Sequence, residues 1–167
     1  MRTIEPPGPP HGLRRLLLKA PLAVYRIGLG ALFGHRLIRL EHVGRRSGRV
    51  HNVVLEVVDH DPVAGTLTVA SGFGARADWY RNLLAHPRTR ITVGNHRRTA
   101  TARRLSSDEG ARCMVAYARR HRRMGRRLAR FMGYEVDGSD QDFAALGRRL
   151  PFIRLEPSGD PVADHRS

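Results

Sequence analysis

The residues best suited to chemistry are Gly44-Arg45-Arg46-Ser47-Gly48, then Ala70-Ser71-Gly72-Phe73-Gly74, then Asp78-Trp79-Tyr80-Arg81-Asn82-Leu83. The first stretch can form a turn whose amides, with the guanidinium groups of Arg45, Arg46 and Arg49 and the Ser47 hydroxyl, hold a phosphate or carboxylate. The plainer reading of one G-x-x-x-G is a tight turn with solvated arginines. In the second stretch the glycines let backbone approach a flat ring closely enough for amides to bond ring heteroatoms. It is neither a Walker loop nor a G-x-G-x-x-G fingerprint. Trp79 and Tyr80 open a short helix; one of them anchors it in the core, and Trp79 is the candidate to border a ring pocket. Asn82 is expected to bond neighbouring backbone. In this order and spacing the three stretches read as two turns facing one anionic, planar ligand.

The elements that must position them follow from periodicity and punctuation. Leu13 to Phe33 reads as an amphipathic helix, and His35–Val43 and Val50–Val58 read as strands flanking the first turn. Asp59–Gly65 is a turn on composition, and Thr66–Ser71 a third strand that forms a hairpin with the second. Gly72–Ala77 is a loop. Asp78 reads as the N-cap of a helix over Trp79–His86, stopped by Pro87. Two more strands, Thr89–Val93 and Arg97–Leu105, meet across Gly94-Asn95. A long helix starts at Ser106 with a capping box to Glu109 and runs to a stop at Gly133. Asp137–Asp142 is loop-like, and Phe152–Leu155 is a last strand. Hairpin-linked strands with helices around them predict an α+β fold, a split β-barrel of mainly antiparallel strands with flanking helices. The domain spans 12–157, with disordered tails over 1–11 and 158–167.

Thirty residues are Lys or Arg against fifteen Asp or Glu, a formal net charge of +15 at pH 7, and Lys19 is the only lysine. Such a field draws polyanions: nucleic acid, acidic lipid, or a phosphorylated and carboxylated cofactor. Arg119, Arg120, Arg122, Arg123, Arg126, Arg127 and Arg130 lie on the long helix, where a solvated face is the commonest meaning. No interleaved aromatics or nucleic-acid reading motif accompany them, which argues against nucleic acid. Peripheral contact with an acidic membrane stays open, in an otherwise cytoplasmic protein. The one cysteine, Cys113, excludes an internal disulfide and a cysteine metal cluster. No Ser-His-Asp set, acid–base carboxylate pair or cysteine–base pair is evident, so catalysis would rest on a cofactor.

Gly-Arg-Arg-Ser-Gly after a strand, Val-Ala-Ser-Gly-Phe-Gly, Asp-Trp-Tyr-Arg-Asn-Leu and Ala-His-Pro resemble the deazaflavin-dependent nitroreductase family, from about His35 to Leu105. The resemblance implies a split barrel of the FMN-binding superfamily that binds coenzyme F420, ahead of FMN. It implies hydride transfer to a small electron acceptor such as a quinone or nitroaromatic. Arg45, Arg46 and Ser47, with Gly48 and Arg49, would sit near the cofactor's phosphate and acidic tail. Ala70, Ser71 and Gly72 would face its ring, with Trp79 and Asn82 beside it. His51 stands where the family often has a basic residue, and Glu56 where some members present a tyrosine. The proton in such a reaction would come from solvent or Tyr134. Two other functions fit the same residues: a split-barrel protein that binds F420, a flavin or a lipid-like ligand without turnover, and a basic nucleic-acid or membrane-surface protein.

Overall fold

The computed structural model describes residues 1–3, 36–131 and 133–158. The helix expected over Leu13–Phe33 lies outside them, as do residues 4–11 and 159–167 of the expected tails. The described strands are β1 (Arg2–Thr3), β2 (Leu37–Val43), β3 (Val50–Asp61), β4 (Thr66–Ala70), β5 (Arg88–Val93), β6 (His96–Arg104), β7 (Tyr134–Glu135) and β8 (Phe152–Pro157). The helices are α1 (Asp78–Ala85), α2 (Ser107–Arg120), α3 (Arg122–Phe131) and α4 (Asp140–Arg149).

Six strands close a barrel in the order β2-β3-β4-β8-β6-β5, every neighbour antiparallel. Alternation along each strand supplies its interior. Ile38 and Leu40 of β2, Leu67 and Val69 of β4, Ile91 and Val93 of β5, and Ile153 and Leu155 of β8 are buried in one cluster. Helix α1 adds Trp79, Tyr80 and Leu83 to that cluster, which fixes α1 against the barrel. The α+β barrel read from the sequence is therefore the fold.

A second core lies between the barrel wall and α2–α4. Val58, Met114, Tyr117, Phe143, Leu146 and Phe152 are buried in it. Helices α2 and α4 cross where each has a glycine. A Cβ on Gly147 would lie 2.5 Å from the Gly110 carbonyl oxygen, and one on Gly110 would lie 2.7 Å from that of Gly147.

Several boundaries differ from the sequence reading for physical reasons. Strand β3 continues to Asp61, through a register shift between Val57 and Asp59, so the turn is shorter than Asp59–Gly65. The Asp61 carboxylate accepts from the amides of Val63 and Ala64 and closes that turn. Asp78 does not cap α1: Ala77 holds the cap position, and Asp78 sits in the first turn with its carboxylate on Arg45. The long helix breaks at His121, which leaves helical geometry, and α3 turns back onto α2. A straight helix could not bring Ala129 into the same core as Ala118 and Phe143, where all three are buried. Helix α4 covers part of the expected acidic loop, capped by the Ser139 hydroxyl on the Asp142 amide. At the start of the chain, Arg2 and Thr3 pair with Glu135 and Tyr134 as β1.

Candidate functional site

The turn between β2 and β3 is built by its two glycines. Gly48 adopts φ 65°, which glycine reaches without a Cβ clash. At Gly44 a Cβ would come within 2.5 Å of the Ser47 Oγ. The Gly44 amide bonds the Arg49 carbonyl, the Gly48 amide bonds the Gly44 carbonyl, and the Arg49 amide reaches Ser47 Oγ. The Arg45 amide donates to Asn82 Oδ1 at 3.1 Å. The amides of Gly44, Arg45, Gly48 and Arg49 are thus committed inside the protein.

Beside this turn opens a cleft of about 720 Å³, a size suited to a cofactor-class ligand. Arg45, Arg46 and Ser47 line it from the turn, and His51, Asn52 and Val53 from β3. Phe73, Arg76 and Ala77 enter from the segment after β4, and Asp78, Trp79 and Asn82 from α1. Phe73 is exposed and Trp79 nearly buried, with its ring edge-on to Tyr80 at 5.9 Å. Aromatic and apolar groups thus share one wall system with three guanidinium groups. Arg45 is partly neutralised, because its Nη1 donates to Asp78 at 3.0 Å and to Asn82 Oδ1 at 2.9 Å.

His42 lines the cleft from the end of β2. It is buried, stacks on His51 with ring centres 5.6 Å apart, and bonds Asn82 Nδ2 through Nδ1 at 2.9 Å. Burial pushes its pKa below the ordinary 6.5, the charge of His51 pushes the same way, and Asp78 opposes both.

Of the predicted site residues, the structure brings Arg45, Arg46, Ser47, His51, Trp79 and Asn82 to this cleft. Gly48 and Arg49 shape its turn without lining it. Ala70, Ser71 and Gly72 also do not line it. Ser71 is fully buried, its amide on the Pro151 carbonyl and its hydroxyl on the Gly74 carbonyl, so it staples the second turn to the barrel. Tyr134 pairs with Thr3 in β7 and packs in the second core. Glu56 accepts a bond from the Tyr117 hydroxyl at 2.6 Å, away from the cleft lining; burial and then Glu56 push the Tyr117 pKa up. His42, Arg76 and Phe73 line the cleft without being assigned to the site by the sequence reading. Phe73 lies between Gly72 and Gly74, and an aromatic in a glycine turn is the available signal. His42 carried none, since in a strand it reads as one more alternating residue.

Residues 23–131 match the sequence pattern of the family described as F420H(2)-dependent quinone reductase. The chain belongs to the F420H(2)-dependent quinone reductase family. It is 37% identical over 89 residues to "Putative F420H(2)-dependent quinone reductase Rv3178" of Mycobacterium tuberculosis, an alignment covering 52% of this chain and 73% of that one. Among solved structures, an F420-H2 dependent reductase (FDR-A) superposes with a TM-score of 0.51 at 18% identity, over 74% of this chain and 96% of that one. The protein Atu2129 of Agrobacterium tumefaciens gives 0.54 at 18% identity, over 91% and 60%. These structural likenesses show the fold. Membership makes the chain an oxidoreductase of the F420H(2)-dependent quinone reductase family, with coenzyme F420 as its cofactor. The residues present fit that group. An anionic, flat molecule would meet arginines and two histidines beside one exposed and one buried aromatic ring, and the one carboxylate in the lining, Asp78, is already held by Arg45. No helix among the described residues is long and apolar enough to cross a membrane.

Proposed function

We propose that the cleft between the β2–β3 turn, the Phe73–Ala77 segment and α1 is the F420 site, and that the chain reduces a quinone or another electrophilic small molecule there. The observation that carries this reading is the meeting of Arg46, Arg76 and His51 with Phe73, Trp79 and Val53 in one cleft. When bound, reduced F420 supplies a hydride to the electrophilic acceptor. Arg46 and Arg76 attract and hold the cofactor's phosphate and carboxylate groups. Trp79 and Val53 give a rigid apolar wall that orients the ring and excludes water from one side of it. Asn82 and Arg45 hold the turn in place and act on the ligand through it. Solvent, and not Tyr134, delivers the proton, because Tyr134 packs in the second core.

Equilibrium titration of the full chain with oxidised F420 tests the site. Saturable binding that Arg46→Glu weakens supports it; no saturable binding refutes it. Binding of F420 with no turnover of menadione or of a nitroaromatic would instead favour a carrier or storage protein. Turnover of one acceptor and not the other assigns the acceptor class.

A further inference from the structure

We infer that His42 is a positioning residue, held as the neutral tautomer with its proton on Nε2, and that this proton state keeps the β2–β3 turn docked on α1 at the cleft. The assignment follows from Asn82. Its Oδ1 receives two groups that can only donate, the Arg45 amide at 3.1 Å and the Arg45 Nη1 at 2.9 Å. That atom must therefore be the amide oxygen, and the atom facing His42 Nδ1 at 2.9 Å must be the NH2 nitrogen. An NH2 group offers only protons, so His42 Nδ1 must offer a lone pair. A neutral imidazole with a bare Nδ1 carries its proton on Nε2.

Protonating His42 would set N–H against N–H. Turning the Asn82 amide over gives no escape, because its NH2 would then face both donors of Arg45. Asn82 and His42 are both buried, so water cannot readily fill the gap. The charges around His42 mostly favour its neutral form. His51 stacks on it from β3, Arg45 stands on the turn, and Arg46 and Arg76 line the same cleft. Asp78 on α1 favours the cation but is engaged by Arg45. Glu41 of β2 is committed to Arg39 and Arg97, with Arg90 of β5 at 4.0 Å. Cleft shape and histidine protonation are thereby linked through one amide.

The consequence for F420 rests on the function proposed above; the tautomer does not. Long-range nitrogen–proton NMR on histidine-labelled full-length protein reads the tautomer directly, with His42 assigned by the signal lost in His42→Asn. The expected result is a neutral ring protonated at Nε2 that stays neutral below about pH 6.5, where free histidines charge. A proton on Nδ1, or ordinary titration, would overturn the inference. In a second arm F420 affinity is followed against pH in a His51→Gln background, which removes the other histidine of the stack. Affinity should fall by about tenfold per pH unit once below the His42 pKa. His42→Asn, whose amide oxygen can accept from Asn82 in place of Nδ1, should hold its affinity nearly constant across the same range. A parallel fall in His42→Asn would overturn the positioning role. Absence of F420 binding by the parent chain at every pH would refute the proposed function, and the NMR result would still decide the tautomer.

Discussion

Arg45 and Asn82, 37 residues apart in the chain, are joined twice: the Arg45 amide and its guanidinium both donate to the one Asn82 side-chain oxygen. This pair ties the β2–β3 turn to α1 and makes the cleft a built feature. Asn82→Leu keeps the volume and removes every partner, leaving the Arg45 amide and His42 Nδ1 without bonds. Unmatched buried groups cost about 1–3 kcal/mol, and at about 2–4 °C per kcal/mol the unfolding midpoint should fall by several degrees. Thermal melting checks this; an unchanged midpoint would show that the pair does not hold the turn.

Position, more than total charge, should govern affinity. Arg46 lines the cleft, whereas Arg122 lies on α3 away from it. Each change to Glu alters net charge equally. Arg46→Glu should weaken F420 binding at least about tenfold, the scale of one lost charge-assisted bond, while Arg122→Glu stays near the parent. Equal losses, measured by fluorescence titration, would indicate diffuse attraction by the +15 chain.

The second core depends on the α2–α4 crossing. In Gly147→Ala the added methyl meets the Gly110 carbonyl oxygen at 2.5 Å and the Ala111 Cα at 2.7 Å, both main chain and unable to yield as a side chain would. Overpacking of this kind costs about 1–3 kcal/mol. The melting midpoint should drop while F420 affinity at the distant cleft is retained. A variant as stable as the parent would contradict the tight crossing.

Acid sensitivity has a defined source in the α2 cap. The Ser106 amide first, then Arg103 and the Ser106 hydroxyl, hold the Glu109 carboxyl down to about 2 from its usual 4.5. A folded-state pKa below the unfolded one means the stabilisation is full above about 4.5 and is lost as pH falls toward about 2. Glu109→Gln can still accept from the Ser106 amide but does not titrate. Its melting midpoint should therefore change less than the parent's across that window. Identical slopes would show that Glu109 does not contribute to acid sensitivity.

Much of this was legible in the sequence because it rests on local rules. The hairpins around Gly44–Gly48 and Gly94-Asn95, the Ser106–Glu109 cap and the alternation of Ile38 with Leu40 each declare themselves within a few residues. Of the candidate site, the first turn and Trp79 line the cleft, while Ala70, Ser71 and Gly72 of the second do not. What stayed hidden depends on distant partners. Asp78 looked like a cap because its acceptor geometry suits one, yet Arg45, 33 residues away, takes its carboxylate. Ser71 looked like a ligand contact, yet Pro151 and Gly74 take its polar groups. The break at His121 answers to packing of Ala129 and Phe143 and not to any breaker residue. His42 acquires meaning only through Asn82.

The proposed function requires this cleft to hold F420 and to support reduction there. Mixing the full chain with reduced F420 and menadione, and following the return of oxidised F420 absorbance, tests it most directly. The expected result is saturable reoxidation well above the uncatalysed rate, diminished in Arg46→Glu and retained in Arg122→Glu. Reoxidation no faster than without protein, under conditions where the chain is folded, would contradict it.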